Sequence, residues 1–126
     1  KGEIHSATVY EESHFTVILD VNPATKGHCL IIPKEHFDNI YDLDGETAGK
    51  LFALATCIAR AMKDALKCDG LNLVQNNGEV AGQTVNHFHL HLIPRYEGDG
   101  LNLNWPQQEI SGEQLEEIRQ SIKKSI

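Results

Sequence analysis

Asn86-His87-Phe88-His89-Leu90-His91-Leu92-Ile93-Pro94-Arg95-Tyr96 is the stretch that decides how this chain is read. His87, His89 and His91 occupy every second position, and Phe88, Leu90 and Leu92 fill the gaps. Strict polar–apolar alternation is the pattern of a half-buried strand. Side chains at i, i+2 and i+4 share one face of a strand. The spacing therefore predicts a strand from His87 to about Ile93, with three imidazoles on one face and an apolar face against a core. A row of imidazoles costs desolvation and offers a core little, so the pattern points to chemistry.

Outward from this strand, Thr8 to Glu11 and Phe15 to Asp20 read as two strands joined by the polar turn 12–14. Asn22 to Gly27 is a loop by its turn residues, and His28 to Ile32 is a third strand stopped at Pro33. Asp44 caps a long helix from Glu46 to Lys67, whose Leu51, Leu54, Ala55, Ile58, Met62 and Leu66 recur at helical spacing to face a sheet. Gly70 is the expected stop of that helix. Leu71 to Gln75 is a fourth strand, and Asn76 to Val85 a polar, glycine-containing loop. The stretch from Pro94 to Pro106 reads as loop with a lone Trp105, and a final helix runs from Ser111 to about Lys124, with Ser111 and Gln114 at capping-box spacing. The short first turn favours antiparallel pairing. The expectation is one α+β domain over residues 1–126: a five-stranded, mainly antiparallel sheet with the long helix and the C-terminal helix packed on one side.

Composition narrows the function. The 126 residues suit one domain with one core. No apolar run approaches the roughly 20 residues of a membrane span, and no signal-peptide pattern is seen, so no membrane partner is expected. Acidic residues outnumber basic ones 18 to 11, for a formal charge of −7. That balance argues against a nucleic-acid polymer, which needs a basic face, but leaves room for a small nucleotide. Cys29, Cys57 and Cys68 form no C-x-x-C pair and read as apolar filler in a reducing cytoplasm. The sequence opens at Lys1 without methionine, as a processed or shortened product does.

Three readings of the histidine row compete: polar strand residues, a metal site, and nucleophilic catalysis by one imidazole. The neighbours favour the last. Gly82-Gln83-Thr84 supplies N–H groups, an amide and a hydroxyl, and Asn76 and Gly78 stand at the other end of the same loop. Such groups donate to anionic oxygens and are poor ligands for a divalent metal. A further histidine, His28, opens the third strand directly after Gly27. Phosphate donors beside neutral imidazoles suit phosphoryl chemistry.

His87-Phe88-His89-Leu90-His91-Leu92-Ile93 resembles the histidine-triad motif, in which histidines alternate with apolar residues. The resemblance runs from about Val9 to Tyr96 and includes Asp20-Val21-Asn22-Pro23, Gly27-His28-Cys29-Leu30-Ile31-Ile32-Pro33-Lys34-Glu35-His36 and Gly82-Gln83-Thr84-Val85-Asn86-His87. It is similar most of all to the Hint-like branch in its bacterial form, small nucleoside phosphoramidases and purine-nucleotide-binding proteins. The resemblance implies the HIT-like fold and hydrolysis or transfer at an α-phosphate. It makes His89 the nucleophile that forms a covalent nucleotidyl-histidine, released by water as a nucleoside monophosphate. His89 would have its other nitrogen held by a backbone carbonyl. His91 and His28 would contact the phosphate, and His87 would order the row. Thr84 takes the place of a serine that assists the leaving group, Gln83 and Gly82 donate near the phosphate, and Asp20 holds the ribose hydroxyls, with Val21 and Ile18 flanking the nucleoside.

The resemblance also implies a homodimer in which long helices and sheet edges meet, with Trp105 on a segment that in relatives reaches the neighbouring site. Bacterial relatives often carry a Cys-x-x-Cys pair upstream of the Lys1–Ile4 stretch, which binds a structural zinc with histidines matching His36 and His87. Two ligands do not close a zinc site, so the expectation is no metal, and no cofactor for the chemistry. A dinucleoside polyphosphate hydrolase, a non-catalytic nucleotide-binding module and a histidine-ligated metalloprotein stand as the alternatives.

Overall fold

The computed structural model describes residues 7–126; the Lys1–Ile4 stretch lies outside them. β1 (Thr8–Glu11) and β2 (Phe15–Leu19) form a hairpin, closed by the Glu12 N–H donating to the Phe15 carbonyl at 3.0 Å. β3 (Cys29–Pro33) pairs with β2. The long helix α1 (Gly45–Leu66) then leads to β4 (Gly70–Val74), and after a loop β5 (Leu90–Arg95) inserts between β3 and β4. The sheet order is β1-β2-β3-β5-β4, and every pair is antiparallel. The histidine-bearing strand is thus interior, hydrogen-bonded on both sides. The α2 helix (Gly112–Ser125) closes the chain.

One face of the sheet makes the core. Phe15 and Val17 of β2, Cys29 and Ile31 of β3, and Leu90 and Leu92 of β5 turn toward Leu51, Ala55, Ile58 and Met62 of α1, with Phe37 and Phe88 completing the cluster. Val17, Ile31 and Leu92 are fully buried, and each such side chain contributes about 1.5–3 kcal/mol. Leu54 and Leu66 pack partly buried against the same cluster, so the helical stripe read from the sequence is the one that faces the sheet.

Helix boundaries follow their caps. The Asp44 carboxylate accepts from the Thr47 N–H at 2.9 Å and from the Thr47 hydroxyl at 2.7 Å, satisfying donors at the N-terminus. The C-terminal stop is not Gly70. Lys67 takes the left-handed conformation (φ 54°) and returns its N–H to the Lys63 carbonyl at 3.1 Å. Gly70 instead opens β4 opposite Arg95. Ser111 and Gln114 form the full capping box of α2. That helix departs from expectation in another way: no residue of it is buried. Its apolar stripe of Leu115, Ile118 and Ile122 remains exposed, and only α1 covers the sheet. Amphipathicity shows that a helix has an apolar side without stating which surface meets it.

The histidine strand is also shorter than its alternation predicts. β5 starts at Leu90, leaving His87, Phe88 and His89 ahead of it. Ile31 opposite Leu90 is the last β3–β5 pair. Two positions beyond Ile31 stands Pro33, which has no N–H to donate, and the Phe88 N–H turns to the Phe37 carbonyl at 2.7 Å. The two-residue period in burial nevertheless persists: Phe88, Leu90 and Leu92 are buried, while His87, His89 and His91 are half-buried.

Candidate active site

The face of the sheet opposite α1 carries the histidines. His91 stands opposite Leu30, and Leu30 opposite Ile18, in one row across β5, β3 and β2. Leu30, Ile32 and Val85 line an apolar pocket with His87 and His89. Leu30 and Ile32 alternate with the buried Cys29, Ile31 and Pro33 along β3, and so lie off the core face of that strand.

His89 is held at one nitrogen. Its Nδ1 lies 2.8 Å from the His87 carbonyl oxygen. A carbonyl only accepts, so Nδ1 carries the hydrogen and Nε2 of the neutral ring keeps its lone pair. His89 and His91 meet edge to face, with ring centroids 4.9 Å apart.

His91 has the opposite arrangement, and the reason begins in the backbone. The Ala24 N–H donates to His28 Nδ1 at 3.0 Å. That nitrogen is therefore unprotonated, and the neutral ring carries its hydrogen on Nε2. His28 Nε2 lies 2.9 Å from His91 Nδ1, so His91 Nδ1 accepts and His91 Nε2 bears the hydrogen. Burial pushes the His28 imidazole below the ordinary 6.5, partly offset by Asp20. Burial also lowers His91, aided by the charges of His89 and His28 and opposed by Asp20. Both rings are thereby kept in neutral forms near pH 7.

Asp20 closes this side of the site. Its Oδ1 accepts the Asn22 N–H at 2.9 Å, and Oδ2 lies 3.8 Å from His28 Nε2. Ile18 is half-buried nearby in the sheet row, and Val21 is exposed beside Asp20. On the other side, Gly78 and Gly82 take positive φ values of 91° and 99° around a single turn of 3-10 helix. A Cβ on Gly82 would lie 3.5 Å from Asn76 Nδ2, so the Asn76 amide faces that glycine. Thr84 is exposed. The Gln83 amide is occupied within the fold: its Nε2 donates to the Asp38 carbonyl at 2.6 Å and the Val85 carbonyl at 3.0 Å, and its Oε1 accepts the Gly78 N–H at 2.8 Å. Its side chain braces the loop.

His87 has both ring nitrogens engaged within the fold. Its Nε2 donates to the Pro33 carbonyl at 2.9 Å, and its Nδ1 meets His36 Nδ1 at 2.8 Å. His36 Nε2 in turn binds the Asp38 carboxylate at 2.7 Å. Sequence reasoning missed the Pro33 carbonyl and the Ala24 N–H, because main-chain partners leave no residue-type signature, and it missed the Asp38 carboxylate beside His36.

Two places invite a metal. His36 and His87 offer two facing nitrogens, and Cys29, Cys57 and Cys68 lie on β3, on α1 and just after α1; a closed structural zinc site needs four ligands, and the described residues do not supply them there. Asp20, His28 and His91 are the one cluster of three ligand atoms among the described residues. The Ala24 N–H counts against that use, because it leaves the proton on His28 Nε2, the atom that would have to ligate.

The family model for the HIT domain matches residues 1–98. The chain belongs to the HIT family. Among HIT relatives, the Bacillus subtilis Protein hit is 44% identical over 99% of this chain and 88% of its own length. Adenosine 5'-monophosphoramidase HNT1 of Saccharomyces cerevisiae is 38% identical over 97% of this chain and 75% of its own. A solved HIT family structure from Bacillus subtilis superposes with a TM-score of 0.90 at 44% identity, covering 99% of this chain and 91% of that one. The open antiparallel sheet with two helices is thus the HIT-like α+β fold. Among the described residues, no helix is long and apolar enough to cross a membrane.

Proposed function

We propose that this HIT protein hydrolyses nucleoside phosphoramidates or related nucleotides at the α-phosphate through a covalent nucleotidyl-His89. The observation that carries this reading is the 2.8 Å contact from His89 Nδ1 to the His87 carbonyl, which leaves Nε2 as a lone-pair nitrogen. That nitrogen attacks the α-phosphorus as the bond to the leaving amine breaks. The amine departs with the Thr84 hydroxyl proton, which Thr84 regains from the water that attacks in the second step. His91 Nε2–H donates to a phosphate oxygen as its charge builds. Water then attacks the phosphorus, the His89–phosphorus bond breaks, and a nucleoside monophosphate leaves. Splitting one displacement into two is what a covalent nucleophile offers.

The remaining groups suit a purine nucleotide. Asp20 keeps a carboxylate oxygen available for ribose hydroxyls, and Ile18, Leu30 and Val21 offer apolar contacts to the nucleoside. The activity named for the yeast relative supports the substrate class. Incubation with adenosine 5'-phosphoramidate tests it: AMP is expected from the native chain, and none from His89→Ala, which still binds AMP. Equal turnover by the variant would reject the assignment.

We further infer a homodimer in the cytoplasm. β4 is an edge strand with Leu73 exposed, and Phe52 is exposed on α1; an uncovered edge invites pairing. Trp105 is 79% exposed and lines a cleft with Leu73 and Val74 of β4, a placement that suits a reach toward a second copy. Light scattering should give twice the mass of one chain; a monomer at working concentration would reject the dimer. Free Cys29, Cys57 and Cys68 are compatible with a reducing compartment.

A further inference from the structure

We propose that the Asn22–Gly27 loop is a tautomer clamp for His91, and that Thr25 and Tyr96 are the positioning residues that hold it. The clamp starts at the Ala24 N–H, which donates to His28 Nδ1 at 3.0 Å. It ends at His91 Nδ1, 2.9 Å from His28 Nε2. Each link fixes the next, because a neutral imidazole has one donor and one acceptor.

Two hydroxyls tie this loop to the strand that bears His91. The buried Thr25 hydroxyl donates to the Pro94 carbonyl at 2.5 Å. The Tyr96 phenol donates to the Lys26 carbonyl at 2.6 Å. Pro94 belongs to β5, and Tyr96 directly follows it. The first donor of the chain and the strand carrying its last ring are thereby braced together. Asp20 Oδ2, 3.8 Å from His28 Nε2, favours a hydrogen on that same nitrogen.

Without the Ala24 N–H, the His28 proton is free to move to Nδ1. His28 Nε2 then accepts, and His91 must carry its hydrogen on Nδ1. His91 Nε2 is left bare, with a lone pair where a phosphate oxygen requires a donor. The loop chooses between a donating and an accepting His91. The catalytic consequence rests on the phosphoryl chemistry proposed above, whereas the tautomer does not.

Nitrogen NMR of isotope-labelled histidines in the full chain tests the clamp, at a pH where both rings are neutral. In the native protein, His28 and His91 are each expected to be protonated at Nε2 and bare at Nδ1. In Thr25→Val with Tyr96→Phe, the two His91 nitrogen signals should shift toward one another as the tautomers mix. Thr25→Ser should retain the native signals, which a general loss of packing would not explain. Tyr96→Phe alone, which removes only the phenol oxygen, should move them less in the same direction. Native signals in the folded double variant, or a native His91 protonated at Nδ1, would overturn the clamp. Native Nε2 protonation without AMP release would leave the clamp standing and overturn the hydrolase.

Discussion

His89 Nδ1 stands 2.8 Å from the carbonyl oxygen of His87, two residues back along the same chain. His91 is held the other way round by His28. Neighbouring rings on one face thus expose unlike nitrogens: His89 a lone pair, His91 an N–H. One is suited to attack and the other to donate, and the division is made by partners that are mostly main chain.

The neutral rings make the protein acid-sensitive. His28 and His91 are both lowered from 6.5, chiefly by burial. Between their native values and 6.5, the unfolded chain binds protons that the native state does not, so stability rises with pH through that window and falls on acidification. The melting temperature should drop below pH 6.5, and His28→Gln should flatten the drop. Hydrolysis should fall in the same acid range as His28 and His91 protonate. Parallel melting curves for the two proteins across that range would contradict this.

Gly27, immediately before His28, is expected to tolerate no side chain. Its φ is +95°, and a Cβ there would fall 2.5 Å from Leu66 Cδ1. Backbone strain of this kind costs about 1–3 kcal/mol, even if the Leu66 side chain gives way. Gly27→Ala should lower the urea midpoint accordingly and slow hydrolysis by moving His28. An unchanged midpoint would show that the loop accommodates the residue.

Thr84 should matter in proportion to how poor the leaving group is. Proton supply to a departing amine is worth roughly 10²–10⁴-fold. Thr84→Val should therefore lower kcat on an adenosine phosphoramidate of a basic amine by about 10²-fold or more. The same variant should barely affect a nitrophenyl ester of AMP, whose leaving group needs no proton. Equal losses on both substrates would remove the hydroxyl from this role.

Much of this is legible in the sequence alone. β1 runs from Thr8 to Glu11 as its composition indicates, and Asp44, Ser111 and Gln114 mark helix starts through short-range bonds. The HIT-like pattern of Phe88, Leu90 and Leu92 correctly sides the sheet. What escaped depended on partners far along the chain. The early end of strand pairing follows from the Phe88 N–H meeting the Phe37 carbonyl. The employment of the Gln83 amide follows from the Asp38 carbonyl, 45 residues upstream. Lys67 takes the left-handed turn that propensity gives to glycine, and Gly70 serves the sheet instead, paired with Arg95.

The central claim is a bond between phosphorus and one nitrogen. The bond is an acid-labile phosphoramidate, so it is caught by quenching the native chain in alkaline denaturant within its first turnovers on adenosine 5'-phosphoramidate and mapping the peptides by mass spectrometry without an acid step. The account expects an adenylyl group on His89, absent from His89→Ala and cleared by water as AMP appears. Full turnover with no adduct at His89 at any quench time would contradict it.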